Sequence, residues 1–314
     1  MKRSTTSRSP LRRPHSPLDR LAAWPWWASL LLGLAVALLL VGGLVLVTRP
    51  RATDRGLTGI EHVHALAVWP GDPPQFWLAT HRGLYRTRDL GRQWEPGGPV
   101  GDVRALALDP ATGLLLAAGP GFLKQSGDGG QTWTDLSERL PAQGAVQGLA
   151  LTPDDPQRLT AYIAGQGVYR SRDGGRSWER VGPPLPNTEV TALVGVPGRP
   201  DTLYLGTERL RVLRSTDGGL LWSPVGTGLQ GPRVLALSVS PQDPRLVFAA
   251  TPEGVFRSTD EGRTWQLTGP GLPHRLVEAV AIDPTPPGTV YAVALGLLYR
   301  SQDQGLSWQK VTPE

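Results

Sequence analysis

Cysteine is absent from the 314-residue chain. That single absence excludes a disulfide framework, a thiolate nucleophile and Cys-ligated zinc. Methionine occurs once, phenylalanine four times, and charged residues make up only 19% of the chain. No P-loop, dinucleotide fingerprint, His-Glu-x-x-His or Gly-x-Ser-x-Gly element occurs, so no nucleotide cofactor is expected. What the chain has instead is turn formers and large apolar side chains: 39 Gly, 31 Pro and 11 Trp. Such a composition suits a packed, turn-rich β domain rather than a disordered chain.

The net charge of +5 is not spread evenly. Residues 1–20 carry six bases against Asp19, and residues 49–55 carry three against Asp54. Of the 32 bases and 27 acids, 23 bases and 25 acids are then left for the remainder, which is not basic. Bulk attraction to nucleic acid is therefore not expected. The charge brackets an apolar run instead. Ala28 to Val47 contains only apolar residues, Gly and one Ser. Twenty residues at about 1.5 Å rise match the roughly 30 Å core of a bilayer. Trp24, Trp26 and Trp27 stand where an interfacial belt would lie. A cleaved signal peptide is the rival, but its apolar region is usually shorter and ends at a small-x-small site. The expectation is a basic cytoplasmic tail at 1–23, a single-pass anchor at 24–48, a linker at 49–60 and an extracytoplasmic body at 61–314.

Beyond residue 60 the sequence repeats. Six segments share one pattern, among them Lys124-Gln-Ser-Gly-Asp128-Gly-Gly130-Gln-Thr-Trp133 and Arg257-Ser-Thr-Asp260-Glu-Gly262-Arg-Thr-Trp265. Their acids are Asp89, Asp128, Asp173, Asp217, Asp260 and Asp303, each about 43 residues from the next. Each unit reads as four short alternating strands joined by tight turns, with the Asp and Trp in structural roles. One such sheet cannot bury both faces alone, so six stacked in a ring predict an all-β, six-bladed β-propeller.

The pattern Ser-x-Asp-x-Gly-x-Thr-Trp resembles the Asp-box, or BNR, repeat of sialidases, sortilin-type ectodomains and Ycf48-like photosystem II assembly factors. His62-Val-His64-Ala-Leu-Ala-Val, with Ala79-Thr80-His81-Arg-Gly83, is also similar to bacterial Asp-box proteins loosely labelled glycosyl hydrolases. The resemblance implies the propeller fold over 61–314, but its members include both enzymes and binding modules. Sialidase chemistry would need a Tyr–Glu pair, an Arg triad and an Asp acid/base. Here each of the six Tyr occupies a repeated strand position, and the Arg-Ile-Pro motif of that family is missing. Ycf48-like rings have seven blades and sortilin-type rings ten.

Function is expected where the copies differ. In an up-and-down sheet the start of strand one and the end of strand two share a face. At the His64 position the six units read His64, Arg104, Gln147, Thr191, Leu235 and Glu278. Two residues earlier they read His62, Asp102, Ala145, Glu189, Arg233 and Leu276. Such variety suits a binding mouth. Pairing Trp69 with Phe76 across the Gly71–Pro74 turn predicts His64 opposite His81, with His62 on the same sheet face by period two. His62, His64 and His81 then read either as a divalent-metal site or as a hydrogen-bonded cluster without metal. No other cofactor is expected. The favoured function is non-catalytic recognition or assembly with a protein or glycan partner. The alternative is an exo-acting, sialidase-like glycoside hydrolase using Asp102, Glu189, Glu208 or Glu278.

Overall fold

The computed structural model describes residues 62–311, apart from 142–143, 153–154, 186–187 and 274–275. The tail, the apolar run and the linker expected at 1–60 lie outside the described residues. Among the described residues no helix is long and apolar enough to cross a membrane.

Six four-stranded antiparallel sheets follow one another along the chain, each made of four consecutive strands. The first blade comprises β1 (Val63–Trp69), β2 (Gln75–Thr80), β3 (Gly83–Thr87) and β4 (Glu95–Val100). The second opens with β5 (Ala105–Asp109), β6 (Leu114–Gly119) and β7 (Phe122–Ser126) and ends with the two-residue β8 (Thr134–Asp135). The sixth takes its outer strand from Gln309–Lys310. The six-bladed propeller expected from the repeat is the fold observed.

The hydrophobic core lies in the seams between blades rather than at one centre. Trp77, Ala79, Leu84, Leu115 and Ala117 fill the seam between the first two blades. The ring closes through a cluster shared by the fifth, sixth and first blades, where Phe76 meets Tyr291 edge to face at 4.7 Å. The seams are largely apolar because the second strands are buried on both faces, as β2 and β6 show.

The repeated Asp turns lock these seams from one end of the ring. In each, a buried hydroxyl is the hub. Ser126 Oγ donates to Asp128 Oδ1 at 2.7 Å and accepts the Gly130 N–H at 2.7 Å. Asp128 also accepts the Thr132 N–H and hydroxyl at 2.9 and 2.6 Å. Thr87, Ser171, Ser215, Ser258 and Ser301 serve the other five turns in the same way. Hydrogen bonds from Ser177 to Asp173 and from Ser307 to Asp303, and from the Thr264 N–H to Asp260, hold these three carboxyls at about 2. The Trp that follows reaches the preceding blade: Trp133 Nε1 donates to Gly97 O on β4 at 3.2 Å, and Trp308 Nε1 to Thr268 Oγ1 at 3.1 Å.

Candidate functional site

The first hairpin differs from the expected register by one residue. Trp69 pairs with Gln75, not Phe76, so Leu66 faces Leu78 and Val68 faces Phe76. Opposite residues share a sheet face, and all four belong to the same buried cluster. The expected register would have set Leu66 opposite Ala79, which packs in the next seam, and so mixed the two faces. A β-bulge then intervenes: Val63 pairs with Thr80 and Ala65 with Ala79, leaving His64 as the extra residue. His64 therefore has no opposite partner. His62 is not on the strand either; it precedes it, exposed, with φ at +55°.

The same bulge recurs in the third, fourth and sixth blades, where the extra residues are Gln147, Thr191 and Glu278. These are the ring positions at which the repeat diverges. Nothing in the residue pattern marks a bulge there, because the flanking apolar alternation reads through it.

His81 and Arg82 form the two-residue loop between β2 and β3, since Thr80 pairs with Gly83. Buried Thr80 fixes this loop: its hydroxyl donates to Gly83 O at 2.8 Å and accepts the Arg82 and Gly83 N–H groups at 3.2 Å. The second blade is stitched to it, because the Val103 N–H donates to Thr80 O at 2.9 Å. That bond sets Asp102, the residue before Val103, beside His81. The approach is close: a Cβ at Gly119, which fills the Thr80 position in the second blade, would fall 2.0 Å from Asp102 O.

Three ligand-type atoms converge here. His81 Nδ1 is 2.8 Å from Asp102 Oδ1, His64 Nε2 is 3.2 Å from the same oxygen, and the two nitrogens are 3.3 Å apart. Arg104 Nε donates to the other carboxylate oxygen, Oδ2, at 2.7 Å. The His62 ring stands edge-on to His81, with centroids 5.1 Å apart. Burial lowers the His64 pKa against the raising pull of Asp102, so the ring is neutral at pH 7. Burial alone would raise Asp102, yet its hydrogen bonds to Arg104 and His81 prevail and hold it below the ordinary carboxylate value. His64 and His81 thus meet within the first blade, with His62 beside them, and Asp102 of the second blade joins the cluster.

The other candidate acids are distributed round the ring. Glu278, in the sixth blade, accepts the Val63 N–H at 3.4 Å, and burial pushes its carboxyl upward despite that bond and nearby His62. Glu208 is held by Arg233 at 2.7 Å. Glu189 is exposed, and its backbone carbonyl accepts the Glu208 N–H. Below His64 and Arg104 the channel narrows to a cavity of ≈ 70 Å³, bounded also by Gln147 and Thr191.

No protein-family model matches this chain, and no curated protein matches it. Solved structures do. An ancestral GH74 enzyme superposes with a TM-score of 0.58 at 20% identity, over 80% of this chain and 39% of its own. The GH74 xyloglucanase from Xanthomonas campestris gives 0.56 at 20%, over 80% and 45%. YCF48 from Cyanidioschyzon merolae gives 0.52 at 17%, over 79% and 84%. The fold is shared. This chain spans less than half the length of either of those GH74 enzymes, and at these identities the likeness extends to the β-propeller alone.

Proposed function

We propose that this chain is a recognition module of the Asp-box type, held at the membrane by the 24–48 segment with its propeller on the extracytoplasmic side. Its partner, a protein or a glycan, docks on the face bearing His62, His64, His81, Asp102 and Arg104. The observation that supports this most directly is how the acids of that face are engaged. Asp102 is committed to Arg104 and the histidines, and Glu208 to Arg233, so neither is left as a free nucleophile or base. Retaining and inverting glycosidases alike need two carboxyls flanking one bond, roughly 5–10 Å apart, one protonated and one ionised. Burial raises the pKa of Glu278. That residue is therefore the general acid a hydrolase reading would use.

Full-length protein assayed against aryl glycosides should show no turnover. Turnover lost in Glu278→Gln or Glu189→Gln would replace this reading with the glycoside hydrolase. In the positive direction, an immobilised glycan or a co-purifying protein should be retained by the wild type and released by His81→Ala combined with Arg104→Ala. A Thr264→Val change in an Asp turn should leave retention intact. For topology, protease added to intact spheroplasts should release nearly the whole propeller. A mature, soluble protein beginning near residue 50 would show that the apolar run is a signal peptide.

A further inference from the structure

We propose that His64 Nε2, His81 Nδ1 and Asp102 Oδ1 bind one divalent transition-metal ion, with Zn²⁺ as the probe ion, and leave a coordination position open to the solvent side. The argument begins with separations. An ion bound at about 2.0–2.1 Å keeps its ligand atoms about 3.3–3.4 Å apart when tetrahedral and about 3.0 Å apart when octahedral. The three atoms lie 2.8, 3.2 and 3.3 Å from one another, so the ligand triangle is already drawn to the size an ion requires.

Proton counting points the same way. Three mutual contacts join these atoms, and the carboxylate brings no proton of its own. If both imidazoles direct N–H groups inward, both can donate to Oδ1, but they then meet each other donor to donor at 3.3 Å. If one nitrogen is bare, two of the contacts compete for a single proton. A cation at the centre satisfies all three lone pairs at once.

The surroundings are those of a supported ligand set. Arg104 anchors Asp102 through Oδ2 and thereby turns Oδ1 toward the histidines, the role an outer-shell partner plays in metal sites. His64 is fixed by its bulge and Asp102 by the Val103–Thr80 bond, so neither depends on a mobile loop. The His81 side chain is 45% exposed, and His62 stands at the rim, which leaves the ion reachable by an incoming carboxylate or imidazole. Two imidazoles and one carboxylate suit Zn²⁺, Co²⁺, Ni²⁺ or Fe²⁺ better than Ca²⁺ or Mg²⁺. The use of this ion to capture a partner group rests on the recognition reading above; the binding of the ion does not.

The test uses full-length protein, stripped with chelator and reloaded without any partner present. Elemental analysis should give about one Zn²⁺ per chain, and Co²⁺ should produce a visible d–d absorption that Zn²⁺ displaces. His81→Asn, at an exposed loop position, and Asp102→Asn should each lose the absorption while keeping the wild-type circular dichroism. Arg104→Gln should weaken zinc affinity about 10- to 100-fold without abolishing it. Substitution of His15, far along the sequence from the cluster, should change nothing. Loading below about a tenth of an equivalent would overturn the proposal, as would uptake that persists in a His64→Ala, His81→Asn double variant. Zinc binding without partner retention would preserve the site and overturn only its use in recognition.

Discussion

At one end of the central channel the first strands of the six blades begin, and the side chains there are His64, Arg104, Gln147, Thr191, Leu235 and Glu278. At the other end the same strands finish among Val68, Leu108, Val239 and Ile282, with Pro110, Pro197, Pro241 and Pro284 round the rim of a cavity of ≈ 270 Å³. One end is charged, narrow and different in every blade. The other is apolar, wider and nearly uniform, and it lies on the side of the Asp turns. The difference teaches where each constraint acts. Turns that hold a neighbouring blade through their own side chains converge on the same residues, whereas strand starts are tied to the next blade largely through backbone bonds such as Val103–Thr80, which leaves their side chains freer to diverge.

The contrast should be sharpest in a pair of glycines. Gly130 lies in an Asp turn with φ at +78°, and a Cβ there would fall 2.2 Å from Trp77 Cη2 in the seam. Gly130→Ala should destabilise the protein by about 3 kcal/mol or more, from overpacking and left-handed strain together. Gly121, on the variable face at φ +73°, has nothing within 4 Å of its Cβ position. Gly121→Ala should cost only about 1–2 kcal/mol. Denaturant titration measures both, and equal losses would break the contrast.

A smaller effect is expected from the hydroxyl hubs. Ser258→Ala strands the buried Gly262 N–H and removes a donor from Asp260, for a loss of about 1–3 kcal/mol. Glu189→Gln at the other end should stay within about 0.5 kcal/mol of wild type. A thermal melt that ranks them in reverse would place structural weight on the variable face.

Acid should act on the Asp-turn end. Asp173, Asp260 and Asp303 titrate at about 2 in the fold against 3.8 when free, so their stabilisation is complete above pH 3.8. It is lost as pH falls from there toward 2. Asp303→Asn should accordingly lower the Tm at pH 7, with the gap to wild type closing near pH 2. The smallest effect concerns Glu278, whose raised pKa gives the opposite sign. The fold favours its neutral form, so stability falls as pH rises above the free value of 4.5. Glu278→Gln should slightly raise the Tm at pH 7 and leave it unchanged at pH 4; a lower Tm at pH 7 would show that the Val63 contact outweighs burial.

The blade count and the identity of the turns were legible in the sequence because the Asp and Trp recur at a near-constant period and each has a local chemical reason to be there. The meeting of His64 with His81 was legible as well, since both lie at the rim end of one hairpin. The path to it was not. Period-two counting cannot detect a bulge, because an inserted residue leaves the alternation intact on either side of it. The two offsets add rather than cancel: the hairpin pairs one residue earlier than expected and the bulge shifts it by one more, so His64 and His81 meet through the reach of their side chains and not as opposite residues. Asp102 was visible as an acid of the variable face, but not as a member of the histidine cluster. That placement depends on the Val103–Thr80 bond between blades, and hydrogen bonds between blades leave no periodic trace.

The bulges at His64, Gln147, Thr191 and Glu278 have a consequence for how this molecule could change. A residue inside a regular ladder is bound to its face: exchange apolar for charged there and a seam is lost. An extra residue is released from that alternation, although Thr191 and Glu278 each bond the neighbouring blade, and four of the ring positions are occupied by an imidazole, an amide, a hydroxyl and a carboxylate on one backbone plan. The inner rim thus behaves as a set of interchangeable sockets. A library randomised at these four positions should retain the fold in most members while altering the chemistry of the mouth, which makes the ring a scaffold for selecting new binding specificities.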